Sequence, residues 1–550
     1  MLLTKANTCF CIKRIPLLQK IRASSSAVTA SDNKFTDYVE YPPIQDVSFP
    51  GKFRRYQEDW HEQVKKVKTV EEKMIKINMP RFWGFKCMMY EEDKIFYNEL
   101  PHAQYITLTH VMKEPKLPSY YDNLVSSETL DSLTQEIKGS IEDAIVFEVD
   151  QRKKLQELPK NILDAPRAVE DIICSAVAKS VNRIMLGYLA EYNQHLNEME
   201  IDYEPRIEAG WFAGGIELHE HIIRGRKARF WNDVLHEPAD RPFQFIGKPS
   251  LQLRHIHPLK EIIPLSECDN PDFDVPKYKF DPRTVGHALK RRHMTNIPGF
   301  WPGAQSEFGF MSYHKRGYMI DRTFNDDSDA LKAQAIFANY GWLLAQACNL
   351  GFTTFNDVTY PLVNQAIITN GQWWSFCVYQ LNTTLVNTWH HDENPKRNLC
   401  WMPEPMKLYE SIEGNKLIGF NDEVIKNLIK LYSNAPEERV GVNMKPYLGE
   451  DEKVIADIQN DEKRNWLEDR YKMLVSNRPR KLLMPELYHW ELIYKHQFKT
   501  MPMEKKRTPW DFGVNPFLRR LNQHIPAYIP KAKRKPGAYR KKWEDTFYPQ

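Results

Sequence analysis

An Asn-Gly pair at residues 370 and 371, set between two runs of β-branched and aromatic residues, constrains this chain more than any other feature. The surrounding stretch, Val358 to Asp422, reads VTYPLVNQAIITNGQWWSFCVYQLNTTLVNTWHHDENPKRNLCWMPEPMKLYESIEGNKLIGFND. Asn-Gly suits a type I′ turn, where both central residues take positive φ, so a hairpin with a two-residue loop is expected. In that register Thr369 opposes Gln372, Ile368 opposes Trp373 and Ile367 opposes Trp374, which puts large apolar side chains on both faces. Such a ribbon needs cover on both sides. One face is expected to pack on a helix, the other on more protein, a partner or a nucleic-acid surface.

The helix is predicted just upstream, from Asp329 to Asn349, with Ser328 as N-cap and Gly351 as its stop. Ile336, Phe337, Tyr340, Leu343, Leu344, Ala347 and Cys348 recur at the spacing of one buried stripe. Further helices are expected over Ser127 to Leu155, Ala165 to Glu198 and Asp422 to Asn434, and a charged one over Asp451 to Val475. Residues 201–265 read as short strands and loops, and residues 266–326, rich in Pro, Gly and aromatics, as a long irregular segment. The fold class is therefore α+β. A helical N-terminal part leads to a mixed core, in which an antiparallel hairpin packs on a helix, and a helical, basic C-terminal extension follows.

Charge is concentrated at the ends. The formal net charge of +4 divides into +5 over residues 1–31, +5 over residues 531–550 and −6 for the rest, so phosphate binding should be local. The first thirty residues interleave Lys5, Lys13, Arg14, Lys20 and Arg22 with apolar residues and hold no acid before Asp32, the pattern of a mitochondrial presequence. The expected divisions are a presequence (1–30), an N-terminal extension with short helices (31–126), a helical region (127–200), a mixed α+β core (201–435) and a C-terminal helical extension with a basic tail (436–550). No membrane span is expected, because even the apolar run Ile172 to Leu189 contains Lys179 and Arg183.

Of eight cysteines, none forms a CxxC pair, and the six beyond Cys11 lie scattered, often in apolar runs, as expected of buried thiols in a reducing compartment. His219, His221, His255 and His257 raise a metal site, but no HExxH or cysteine partner supports it. Gly247-Lys248 resembles the end of a Walker sequence, yet Pro242 stands where the first glycine is required. His390-His391-Asp392-Glu393 is the most tempting catalytic cluster and reads more simply as a polar turn. No cofactor is expected.

Two segments suit RNA. Arg224, Arg226, Lys227 and Arg229 form a basic loop beside Phe230 and Trp231, where cations with aromatic planes fit a backbone and its unstacked bases. An exposed basic loop with no partner is the competing reading. In the tail, Lys531, Lys533, Arg534, Lys535, Arg540, Lys541 and Lys542 stand among Tyr528, Tyr539 and Trp543, which reads as an extended strand along RNA or as a solubilising tail.

The words QAIITNG, SFCVYQLNT, ENPKRNLCW, LYESIE and GFNDEV, with YPPI at residues 41–44 as a second anchor, resemble the family of the mitochondrial ribosomal protein numbered thirty in the small-subunit series, also called programmed cell death protein nine. The resemblance implies a structural, non-enzymatic component of the mitochondrial ribosome in the matrix. Its implied partners are rRNA and neighbouring ribosomal proteins, among them a related large-subunit protein numbered thirty-seven, and its implied place is the large subunit. After about residue 434 the chain departs from the family pattern. The alternatives are a matrix enzyme, for which no motif is present, and a free RNA-binding regulator, for which no RRM, KH or zinc-knuckle pattern is present.

Overall fold

The computed structural model describes residues 86–92, 100–153, 165–228, 240–285, 296–300, 304–354, 356–388 and 390–449, with isolated positions elsewhere. The chain falls into two units, residues 1–56 and 57–550. In the first only isolated positions are described, among them Ser48, whose hydroxyl accepts from the Gly51 amide at 3.1 Å.

The second unit holds an α+β fold. Its helices are α1 (Leu100–Thr107), α2 (Ser127–Lys153), α3 (Ala165–Leu189), α4 (Glu220–Lys227), α5 (Asp327–Asn349) and α6 (Asp422–Tyr432). Its strands are β1 (Lys86–Glu91), β2 (Thr109–Val111), β3 (Glu200–Tyr203), β4 (Ile207–Ala213), β5 (Arg241–Gly247), β6 (Leu251–His255) and β7 (Leu289–Arg291). There follow β8 (Phe308–Lys315), β9 (Leu362–Thr369), β10 (Trp373–Leu381), β11 (Asn398–Trp401), β12 (Met406–Lys407), β13 (Ser411–Glu413) and β14 (Lys416–Ile418). A large mixed sheet runs β2-β11-β10-β9-β8-β6-β3, with β12 also on β10, and a smaller sheet runs β4-β5-β1-β7.

The layers follow from side-chain alternation. On β9 and β10, Ala366, Ile368, Cys377 and Tyr379 share one core with Ile336, Tyr340, Leu343 and Leu344 of α5 and with Trp211, Phe243 and Phe245 of the smaller sheet. Val363, Ile367, Trp374, Phe376 and Val378 share another with Ile137 and Ile141 of α2, Val181 and Met185 of α3, and Leu428 of α6. Thus α2, α3 and α6 cover one face of the large sheet, while α5 lies between its other face and the smaller sheet. Both faces of the hairpin are covered by this chain's own helices, each buried side chain contributing roughly 1.5–3 kcal/mol. Helix α3 is long and apolar enough to cross a membrane by length and composition, but Val177, Val181, Met185 and Leu189 spend that character on the core.

The hairpin differs from expectation in its turn. Thr369 pairs with Trp374, Ile368 with Ser375 and Ile367 with Phe376, so four residues form the loop. Gly371 takes φ +94°, whereas Asn370 does not enter the positive-φ region. The reason lies in the Asn370 side chain, whose Oδ1 accepts from the amides of Gln372 and Trp373 at 3.1 and 2.8 Å. That Asx-turn closes the loop without two left-handed residues. The offset is two residues, so every side chain keeps its face.

Helix α5 begins at Asp327, so Ser328 is inside it and Asp326 holds the N-cap position without a side-chain cap. Arg322 takes the Asp326 carboxylate instead, with Nε to Oδ1 at 2.6 Å. The expected single stripe is also too narrow, because nearly every residue from Ala330 to Asn349 is buried. A helix between two sheets has no solvent side. Gly341 permits this closeness, since a Cβ there would stand 2.5 Å from the Phe245 ring. Helix α3 stops at Leu189 and is followed by a 3-10 turn over Gln194–Glu198.

The segment read as irregular contains β8, wholly buried but for Lys315 and central in the large sheet, parallel to β9 and antiparallel to β6. Its Gly, Ser and His residues concealed it. The expected charged helix over Asp451 to Val475 lies outside the described residues, apart from isolated positions.

Candidate nucleic-acid interface

The segment expected as a basic loop folds as helix α4. Glu220 in its first turn and Arg224, Arg226 and Lys227 in its last complement the helix dipole. Glu220 and Arg224 also pair at i,i+4 spacing, both well exposed. Arg226 Nη1 donates to the Leu235 carbonyl at 3.3 Å, and Lys227 is exposed. Three of the four bases thus share one short helix, while Arg229, Phe230 and Trp231 lie outside the described residues. In the tail, Arg534 is half-buried in a bend. Lys531, Lys533, Lys535, Arg540, Lys541, Lys542, Tyr528, Tyr539 and Trp543 lie outside the described residues.

A second cationic group, unforeseen from the sequence, sits beside the hairpin tip. Arg316 directly follows β8, and β12 pairs Lys407 with Trp373. The Arg316 guanidinium lies 5.6 Å from the Trp373 ring centroid and the Lys407 ammonium 5.1 Å from it. Arg316 is only 8% exposed, and its Nη1 has no hydrogen-bond partner. Burial pulls the guanidinium below its ordinary value, opposed by Tyr318 and Glu170. Trp373 is half-buried and Lys407 exposed. The sequence held one signal, Lys315-Arg316 at a strand end, but the partners are 57 and 91 residues further on, counting from Arg316.

Between the layers, Ser312, His314 and Glu92 fall in line, with Ser312 Oγ 2.8 Å from His314 Nε2 and His314 Nδ1 2.6 Å from Glu92 Oε1. The order is that of a nucleophile, base and acid. Yet all three are at most 3% exposed, so no substrate reaches the hydroxyl. Gln334 Nε2 and the Lys248 amide also donate to Glu92, at 3.1 and 2.7 Å. The group therefore ties β8, α5 and the end of β1 together. Burial raises the Glu92 carboxyl, but His314 and these donors outweigh it and hold the group below its ordinary value.

His221 is on α4 and His255 closes β6, where His255 Nδ1 accepts from the His257 amide at 3.0 Å. No group of metal-binding side chains occurs among the described residues. His391 is buried and contacts the Tyr105 carbonyl at 3.0 Å through Nε2, and the amides of His390 and His391 both donate to Asn387 O, which makes this a turn. The six described cysteines are free and buried. Burial pushes the Cys268 and Cys348 thiols up to about 12.

The hairpin and the loop to β11 are built from the segment whose words carry the resemblance. A family model described as mitochondrial 28S ribosomal protein S30 (PDCD9) matches residues 5–436, well over half of the 550-residue chain. That match ends where the sequence leaves the family pattern. The protein is therefore a member of the mitochondrial ribosomal protein S30 (PDCD9) family.

Proposed function

We propose that this chain is a structural, non-enzymatic constituent of the mitochondrial ribosome that binds rRNA through its basic segments and neighbouring ribosomal proteins through its body. The family match over residues 5–436 carries this reading. The large subunit is our placement, with the related protein numbered thirty-seven as a neighbour; its support is the sequence resemblance, and the family description carries a small-subunit name. The matrix is the compartment, reached through a presequence over residues 1–30 that import removes. Sedimentation of mitochondrial lysate at moderate salt tests these points. Migration with the large-subunit peak is expected. Migration with the small subunit would overturn the placement, and retention at the top of the gradient would overturn the ribosomal role.

RNA contact is read from the tail and from Arg224, Arg226, Lys227 and Arg229. For single-stranded RNA the slope of log K against log salt is about −0.7 per phosphate, giving roughly −3 to −5 if most of the tail cations engage. Neutralising Lys531, Lys533, Arg534, Lys535, Arg540, Lys541 and Lys542 should flatten that slope. Replacing Tyr528, Tyr539 and Trp543 should weaken binding at a nearly unchanged slope.

A further inference from the structure

The outer edge of β3 is a surface that the rRNA reading leaves unused. β3 is the last strand of the large sheet, paired on one side with β6. Its four residues are exposed or half-buried, whereas β8 and β9 are almost wholly buried. In the antiparallel register Glu200 opposes Arg254 and Asp202 opposes Gln252, and the Glu204 amide donates to the Ser250 carbonyl at 3.0 Å. Hydrogen-bonded and non-bonded positions alternate along such a pair. Glu200, Asp202 and Glu204 therefore direct their backbone groups to β6, while Ile201 and Tyr203 direct theirs outward. No hydrogen bond to those outward groups occurs among the described residues.

This edge is acidic. Arg254 pairs with Glu200 at 2.7 Å and with Asp202 at 2.6 Å, and Lys179 pairs with Glu204 at 3.3 Å. Glu198 faces His255 at 3.5 Å, whose imidazole burial holds below its ordinary pKa. Four carboxylates thus stand against two permanent cations. Charge blunts an edge against a like strand, since a second copy of β3 would bring carboxylate to carboxylate. It leaves the edge open to a strand of opposite charge. Tyr203, 53% exposed beside Lys179, offers that strand an aromatic face.

We propose that the outer edge of β3 takes an extended, lysine- or arginine-rich segment of a neighbouring ribosomal protein as an added strand. This rests on the reading of the chain as a ribosomal constituent. Alternate basic residues of the incoming strand would lie beside Glu200 and Asp202, and the residues between them beside Ile201 and Tyr203. RNA fits less well, because its phosphates would meet the carboxylates.

Fluorescence anisotropy of the full-length chain with a labelled peptide that alternates Lys and Val tests the edge. The Lys-Val peptide should bind with an affinity that falls with salt, and a Glu-Val peptide should not bind. Tyr203→Pro removes an outward amide and leaves the β3–β6 bonds in place. It should weaken the Lys-Val peptide by about three- to tenfold, with the melting temperature of the free chain nearly unchanged. Should Tyr203→Pro unfold the chain, Glu198→Lys/Glu204→Lys decides, because both side chains are exposed and their reversal should weaken the peptide by a similar factor. Equal binding of the two peptides, or Lys-Val binding that neither variant changes, overturns the proposal. In assembled ribosomes, a photo-crosslinking benzoylphenylalanine in place of Tyr203 should couple to a basic segment of another protein. Coupling to rRNA, to this chain itself or to nothing overturns that occupant. Failure of the unmutated chain to sediment with a ribosomal subunit would instead overturn the ribosomal reading, and would leave peptide binding by the edge as measured.

Discussion

Helices α5 and α4 stand at opposite ends of what a helix can be in one protein. The first lies between two sheets, buried on nearly every side from Ala330 to Asn349. The second is eight residues long and keeps Glu220, Arg224 and Lys227 in water. In α5 the sequence is fixed by volume, so any change is felt by both sheets. In α4 it is fixed by charge order along a dipole, which many sequences satisfy. Stability should therefore reside in the first helix, and RNA affinity should draw on surfaces of the second kind.

The largest effect should come from truncating α5. Trp342 is 1% exposed, and Trp342→Ala should cost about 3–5 kcal/mol in chemical denaturation; a loss under 1 kcal/mol would break the contrast. Next comes Asp281, whose carboxyl is raised by burial but held down to about 2 by Arg283 and Arg241. Because its folded value lies below the ordinary 3.8, its contribution is full above that value and is lost as pH falls through about 2. Asp281→Asn should cost roughly 2–4 kcal/mol at neutral pH and flatten the acid limb of a melting-temperature profile; an unaltered limb would remove the carboxylate from the account. Gly371→Val, at φ +94° in the hairpin loop, should cost about 1–3 kcal/mol. A Cβ there would stand 3.6 Å from the Val177 side chain, an ordinary van der Waals contact, so thermal melts of this variant report chiefly on backbone strain. Smallest of all, Arg224→Gln with Lys227→Gln on α4 should leave the melting temperature unmoved while weakening rRNA binding at low salt. A destabilised double variant would make α4 a structural element rather than a contact surface.

What the sequence disclosed follows the same division. Helix α5 and the hairpin were legible because apolar periodicity and Asn-Gly are local signals. The turn type was not, since Asn370 satisfies the loop through its side chain as readily as through its own φ. Strand β8 escaped because Gly309, Ser312 and His314 look like loop residues until Gln346 accepts from the Gly309 amide and Glu92 meets His314, which in turn meets Ser312. The Arg316 group escaped for a related reason: Arg316 just past β8, Trp373 on β10 and Lys407 on β12 are far apart in the chain, and only the sheet brings both cations to the one ring.

The large sheet has a consequence for how the chain reaches its native state. Its edge strand β2 lies parallel to β11, and Asn398 Nδ2 donates to the Thr107 carbonyl across 291 residues of chain. An amino-terminal fragment has no stopping point of its own, because β2 lacks a neighbour until β11 is present. Loop closure of that length precedes any reward from this pairing, which makes it a slow step in reaching the native state. Until β11 is present, the Val378–Gln380 stretch of β10 keeps an unpaired edge on that side, open to strand addition by other chains.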